Sequence, residues 1–143
     1  MVAFALWSLR SQNPAMIGST GSPDVEIQRL TLSGDVGHPT IARDGRFVAF
    51  VRGDVLWLRH ISTTTGQRDV QLVPKASGRT YLHPTITPDG DHVDFVAVHD
   101  TGRELWRVPL LGGAPQRIVS DVWSAVSWSP DGKSMAFWRY TPE

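Results

Sequence analysis

Two histidines stand in the same short phrase at two places in this chain, His38-Pro39-Thr40-Ile41 and His83-Pro84-Thr85-Ile86. Imidazole titrates near neutrality and ligates transition metals in its neutral form, so two copies aimed at one point are candidate metal ligands. The same repetition has a structural reading, in which His-Pro is a strand-entry feature copied with its surroundings. His60, His92 and His99 fall on outer strands or tips and read as surface residues. No cysteine occurs among the 143 residues, which removes thiolate ligands, disulfides and cysteine nucleophiles and fits either redox compartment. No clustered carboxylate completes a metal set either, so no metal, cofactor or catalytic residue is assigned beyond the candidates His38 and His83.

Both histidines introduce a longer phrase that occurs three times: PTIARDGRFVAF at 39–50, PTITPDGDHVDF at 84–95 and VSWSPDGKSMAF at 126–137. In the third copy Ala125 stands where the histidines do. The glycines Gly45, Gly90 and Gly132 are 45 and 42 residues apart, the period of a repeat architecture. Within the phrase, Ser129-Pro130-Asp131-Gly132 has the chemistry of a tight turn: proline presets φ, and glycine accepts a positive φ. The first copy departs from this, with Ala42 and Arg43 in place of serine and proline, leaving Asp44-Gly45 to make the turn.

The residues that follow each turn alternate with a period of two, as strands do. Val48, Val93 and Met135 fill one column, and Phe50, Phe95 and Phe137 the next but one. A tryptophan-bearing strand comes next, Trp57 lying 12 residues after Gly45 and Trp106 16 after Gly90. The extra residues, at 99–102, predict a longer hairpin tip in the second copy. A fourth strand follows at Asp69–Val73 and at Gln116–Val119. Four strands per repeat is the plan of a propeller blade, and 10 prolines and 13 glycines at regular intervals favour an all-β chain. The innermost strand of a blade lines the central channel, so His38 and His83 would both turn toward one ligand or ion.

One position breaks the pattern. Asp94 occupies a column otherwise filled by Ala49 and Ala136, and a carboxylate buried there unpaired would be costly. His92, two residues away on the same face, is one candidate partner; a solvated patch in the second blade is the other explanation. Trp57, Trp106, Trp123, Trp128 and Trp138 could form a recognition surface. Four of the five sit inside strands in apolar context, which favours packing between blades.

The organisation predicted is an apolar stub and linker over 1–24 and an incomplete propeller over 25–143. Val25–Leu32 reads as an outer strand of a preceding blade, followed by two complete four-stranded blades and a trailing half-blade, eleven strands in all. Propellers close with about four to eight blades, so a segment of this length leaves the ring open. Open edges and apolar faces then predict self-association. The apolar run Val2–Trp7 is short of the roughly 20 residues of a membrane span. It reads either as a flexible leader or as the end of a transmembrane helix that begins upstream.

Pro-Asp-Gly, the apolar strand after it and the Leu-Trp strand resemble the TolB-like, WD-type propeller repeats of bacterial proteins, over residues 25–140. More narrowly, EIQRLTLSGDVGHPTIARDGRFVAFV, VLWLRHI, DVQLVP and ELWRVPLLGGAPQRIVSDVWSAVSWSPDGKSMAF resemble the C-terminal propeller of membrane-anchored bacterial serine/threonine protein kinases. That resemblance implies an extracytoplasmic, periplasmic placement on the inner membrane, with the membrane reached only through an upstream helix. It carries no catalytic residue onto this chain. The glycine-rich phosphate loop, strand lysine and catalytic loop of a kinase are absent, and Arg43-Asp44-Gly45 is a turn. TolB-like propellers also cap prolyl-oligopeptidase-type hydrolases, but the nearest string to a nucleophile elbow, Gly18-Ser19-Thr20-Gly21, lacks the spacing.

Charge narrows the partners. Fourteen basic and fourteen acidic side chains give a net charge of zero, interspersed along the chain, so nucleic acid and anionic membrane surfaces are not expected ligands. The function expected is therefore non-catalytic binding, sensing or scaffolding, directed at a protein, a peptide or a cell-envelope ligand. The alternative is the propeller lid of a hydrolase.

Overall fold

The computed structural model describes Leu30 and residues 34–61 and 68–140. Contacts divide the chain into Met1–Leu30 and Thr31–Glu143, and apart from Leu30 the stub, the linker and the strand read at 25–32 lie outside the described residues. Among the described residues no helix is long and apolar enough to cross a membrane.

The fold is all-β. Strands β1 (Val36–Ile41), β2 (Phe47–Arg52), β3 (Val55–His60) and β4 (Asp69–Val73) form an antiparallel sheet in that spatial order. A second sheet repeats the plan with β5 (Thr80–Ile86), β6 (His92–His99), β7 (Gly102–Pro109) and β8 (Gln116–Ser120). The third copy contributes β9 (Ser127–Trp128) and β10 (Met135–Ala136), extended by an isolated bridge between Val122 and Arg139. Two complete blades and a trailing half-blade are thus present as the repeat period requires.

Alternation along the second strand decides how the blades stack. In β6, Val93, Phe95 and Ala97 join Ala49, Val51, Leu56 and Leu58 of the first blade in one apolar cluster. Val96, on the opposite face, joins Leu105, Val122 and Val126 in a second cluster that includes the third copy. A strand buried on both faces needs apolar residues at successive positions, and His92–His99 supplies them from Val93 to Ala97, apart from Asp94. Full burial of a side chain such as Phe95 or Leu105 contributes about 1.5–3 kcal/mol, so these two clusters carry the stacking.

The hairpins correct one expectation. The β2–β3 tip is Gly53-Asp54 and the β6–β7 tip is Asp100-Thr101, two residues in each case. The four additional residues of the second blade lengthen its strands instead, adding the rungs Val98↔Arg103 and His99↔Gly102. Gly53 and Asp54 sit at φ 60° and 59°, the left-handed pair that a two-residue hairpin turn demands.

Candidate functional site

The three phrase turns lie at one end of the blades, and their hydrogen bonding follows directly from their side chains. Gly45, Gly90 and Gly132 each donate a backbone N–H to the carbonyl three residues back, at 2.9 Å, with φ of 72°, 79° and 69°. In the third turn Ser129 Oγ donates to Asp131 Oδ1 at 2.6 Å and accepts from the Ser134 backbone at 3.0 Å. Thr87 does the same in the second, donating to Asp89 at 2.6 Å and accepting from the His92 backbone at 3.1 Å. These hydroxyls, followed by the Asp91 and Lys133 backbone N–H groups, hold both carboxyls below the ordinary aspartate range. Ala42 has no hydroxyl, and Asp44 is held low by the backbone and then the guanidinium of Arg46.

Clefts lie between neighbouring turns. One of about 310 Å³ is walled by Arg43, Asp44 and Phe47 on one side and by Pro88, Asp89 and Asp91 on the other. A second, about 280 Å³, runs between turns two and three and includes Arg107 and Trp128. Arg43 spans the whole face, its Nη1 donating to the Pro130 carbonyl at 3.0 Å and joining the first turn to the third. Clefts of this size and polarity fit a side chain or a short peptide segment rather than an enclosed small-molecule site.

Beneath the second cleft lies the pair that sequence reasoning missed. Asp94 is 0 % exposed, which overturns the solvated-patch explanation. Its partner is Arg107, not His92: Nε donates to Oδ1 at 2.7 Å and Nη2 to Oδ2 at 3.1 Å, across the rung Asp94↔Arg107. Trp128 Nε1 of the third copy adds a third donor to Oδ2 at 3.1 Å, while the guanidinium lies 5.4 Å from its ring centroid. The forked, charge-assisted geometry satisfies the carboxylate and raises the guanidinium further above its ordinary pKa. Thr85, the cross-strand partner of Asp94 in β5, donates to the Val126 carbonyl at 3.3 Å, so the inner edge of blade two is tied to the third copy by polar contacts.

His38 and His83 do meet, and by a device the sequence conceals. Register slips between Gly37 and Thr40 and between Leu82 and Thr85, so each His-Pro pair forms a β-bulge opposite Phe50 or Phe95. The dipeptide is therefore a kink inside the strand and not its entrance. Both histidines have φ 51°, and their rings contact edge-to-face with centroids 4.7 Å apart. His38 is exposed and His83 half-buried. Burial first, then the charges of His38 and Arg103, hold His83 below the ordinary histidine pKa. Among the described residues no third histidine, aspartate or glutamate joins them.

The remaining candidates separate. Trp57 and Trp106 are half-buried within β3 and β7, as packing between blades requires. Trp123 and Trp138 lie outside strands and are 36 % and 62 % exposed, with the Tyr140 ring 5.5 Å from that of Trp123. His60 packs on Phe47, and His99 Nε2 lies 3.5 Å from Glu104.

No protein-family model matches the chain. A tricorn protease homologue, homolog 1 of Streptomyces coelicolor, is 29 % identical over 90 residues, which cover 53 % of this chain and 8 % of that protein. The chain is thus similar to a small part of a much longer protein named as a protease.

Proposed function

We propose that this chain is a non-catalytic binding segment of a β-propeller, engaging a protein or peptide across the face made by its three phrase turns. The observation that carries this reading is the turn face itself, where adjacent clefts alternate guanidinium and carboxylate groups and Arg43 bridges the first turn to the third. Charge-alternating clefts suit an extended polar partner. The parent protein is read from the resemblance in its repeats as a receptor-type serine/threonine kinase, with this segment extracytoplasmic and sensory. A second reading, a segment of a proteolytic enzyme that guides substrate, draws support from the likeness to the tricorn protease homologue.

Peptide-array selection followed by NMR titration of the full chain tests the binding reading. Selected peptides should shift resonances of residues 42–46, 87–91 and 129–133, and Arg43→Ala should weaken binding. Shifts confined to other surfaces, or hydrolysis or ATP turnover by the purified chain, would overturn it. The coding sequence in frame separates the parents: a kinase domain upstream supports the first reading, and a hydrolase domain on either side supports the second. The exposed aromatic edge at Trp138 and Tyr140 adds an expectation of concentration-dependent association, read by light scattering.

A further inference from the structure

We propose that His38 and His83 form a site for a divalent transition-metal ion of the zinc, nickel or copper class, leaving coordination positions open to a donor from a bound partner. The site stands on its own geometry and does not depend on the turn-face reading. Two independent bulges, one in each blade, place the two imidazoles in contact at 4.7 Å. Both residues hold φ 51°, a left-handed conformation that disfavours a side chain by about 1–2 kcal/mol and that glycine would adopt without strain. Strained backbone retained at two matching positions, with the strained side chains in mutual contact, marks a place where the side chain itself is needed.

The chemistry agrees with the geometry. Neutral imidazole is the ligating form, and ring centroids 4.7 Å apart put both rings within reach of one ion. Histidine χ2 has a broad energy profile, so ring rotation from the edge-to-face contact can bring a nitrogen of each to one ion. With no third protein ligand among the described residues, the ion would hold two or more positions for water or for a partner's donor, one protein ligand fewer than a catalytic zinc site has.

The test is isothermal titration of the untagged full chain with zinc and nickel chloride, and electron paramagnetic resonance with copper. Saturable binding of one ion per chain is expected, with copper hyperfine structure from two imidazole nitrogens. His38→Gly and His83→Gly suit the positive φ and so remove each imidazole without straining the backbone. Loss of even an outer-sphere partner costs about 10- to 100-fold in affinity, so each variant should weaken binding at least that much and the double variant should abolish it. His60→Ala should bind as the parent does. Absence of saturable binding by the parent, or a double variant that still folds by circular dichroism and binds as tightly as the parent, would overturn the proposal. A parent that binds no ion while the glycine variants melt lower would show the pair to be a packing contact only.

Discussion

At one rung of the second hairpin, blade one pairs Ala49 with Leu58, whereas blade two pairs Asp94 with Arg107. The two rungs differ in what they face. Ala49 and Leu58 pack into the apolar cluster between the two blades. Asp94 lies on the opposite side of blade two from Val93 and Phe95, where it meets Trp128 of the third copy. Blade one places its own buried charges on its other face: Asp69 accepts from Arg59 Nε at 2.6 Å and from Arg52 Nη1 at 3.2 Å, and Arg59 lies over the Phe50 ring. At this rung apolar packing therefore faces the seam between complete blades and the ion pair faces away from it, although toward the tip of the second hairpin Glu104, which pairs with Ala97 on the seam-facing side, carries its own ion pair with Arg117.

Converting one rung into the other is the strongest way to break this contrast. Arg107→Leu alone leaves Asp94 buried with only the indole donor, and removing one partner of a buried pair costs about 3–5 kcal/mol. Asp94→Ala with Arg107→Leu rebuilds the rung of blade one and should recover most of that loss, because exchanging a buried ion pair for apolar groups is often neutral or stabilising by about 1–4 kcal/mol, against which the Trp128 N–H loses its acceptor at about 1–3 kcal/mol. Urea denaturation of the parent, single and double variants reads both values. A single variant as stable as the parent would show that the pair bears no stability, and a double variant as unstable as the single would show that the fold requires the charges.

The ion pair of blade one is smaller in effect and carries a pH signature. Hydrogen bonds from Arg59, opposed by burial and aided by the charges of Arg59 and Arg52, lower the Asp69 pKa from 3.8. A carboxyl with a depressed folded-state pKa contributes stability that is complete above its unfolded value and is lost as pH falls through the folded value. Stability should therefore decline on acidification from about pH 5 downward, where unfolded aspartate begins to take up protons. Asp69→Asn should reduce stability at pH 7 by about 1.5–3 kcal/mol, the worth of hydrogen bonds to a charged group, and flatten that acid limb. An unchanged acid limb in thermal melts across pH would remove Asp69 from the account.

The blade count, the strand order and the seam residues were legible because each depends on local chemistry repeated at fixed spacing. Gly45, Gly90 and Gly132 mark the turns, and the valine and phenylalanine columns mark the strands. Asp94 was legible as an anomaly but not as a pair, because its partner lies 13 residues away across a hairpin. The signal was present nonetheless: aligning the two tryptophans sets Leu58 beside Arg107, so the Ala-to-Asp change in one strand is matched by a Leu-to-Arg change in the next. The bulges were hidden for a different reason. His-Pro looks like a strand entrance because proline removes a ladder donor, and only register shows that a bulge tolerates it mid-strand. The hairpin length was misread because four extra residues divide equally between two strands as readily as they enlarge a tip.

The smallest effect is the most specific test of the turn chemistry. Turns two and three each use a hydroxyl that donates to the aspartate and accepts from the backbone five residues on, and turn one has Ala42 at that position. Ala42 donates its own N–H to the Phe47 carbonyl at 2.8 Å, as Thr87 and Ser129 do to their counterparts, so the backbone is already arranged for the missing group. Ala42 is 5 % exposed, so an added oxygen must be satisfied at once, and Asp44 and the Phe47 N–H are the groups placed to do it. Ala42→Ser should thus stabilise by about 0.5–1.5 kcal/mol, the net worth of a protein hydrogen bond, and Ser129→Ala should destabilise by a similar amount. Opposite shifts in denaturation midpoint would establish that the three turns share one energetic device. If Ala42→Ser instead destabilises, the apolar cluster around Ala42 outweighs the hydroxyl, and the first copy has exchanged turn chemistry for packing.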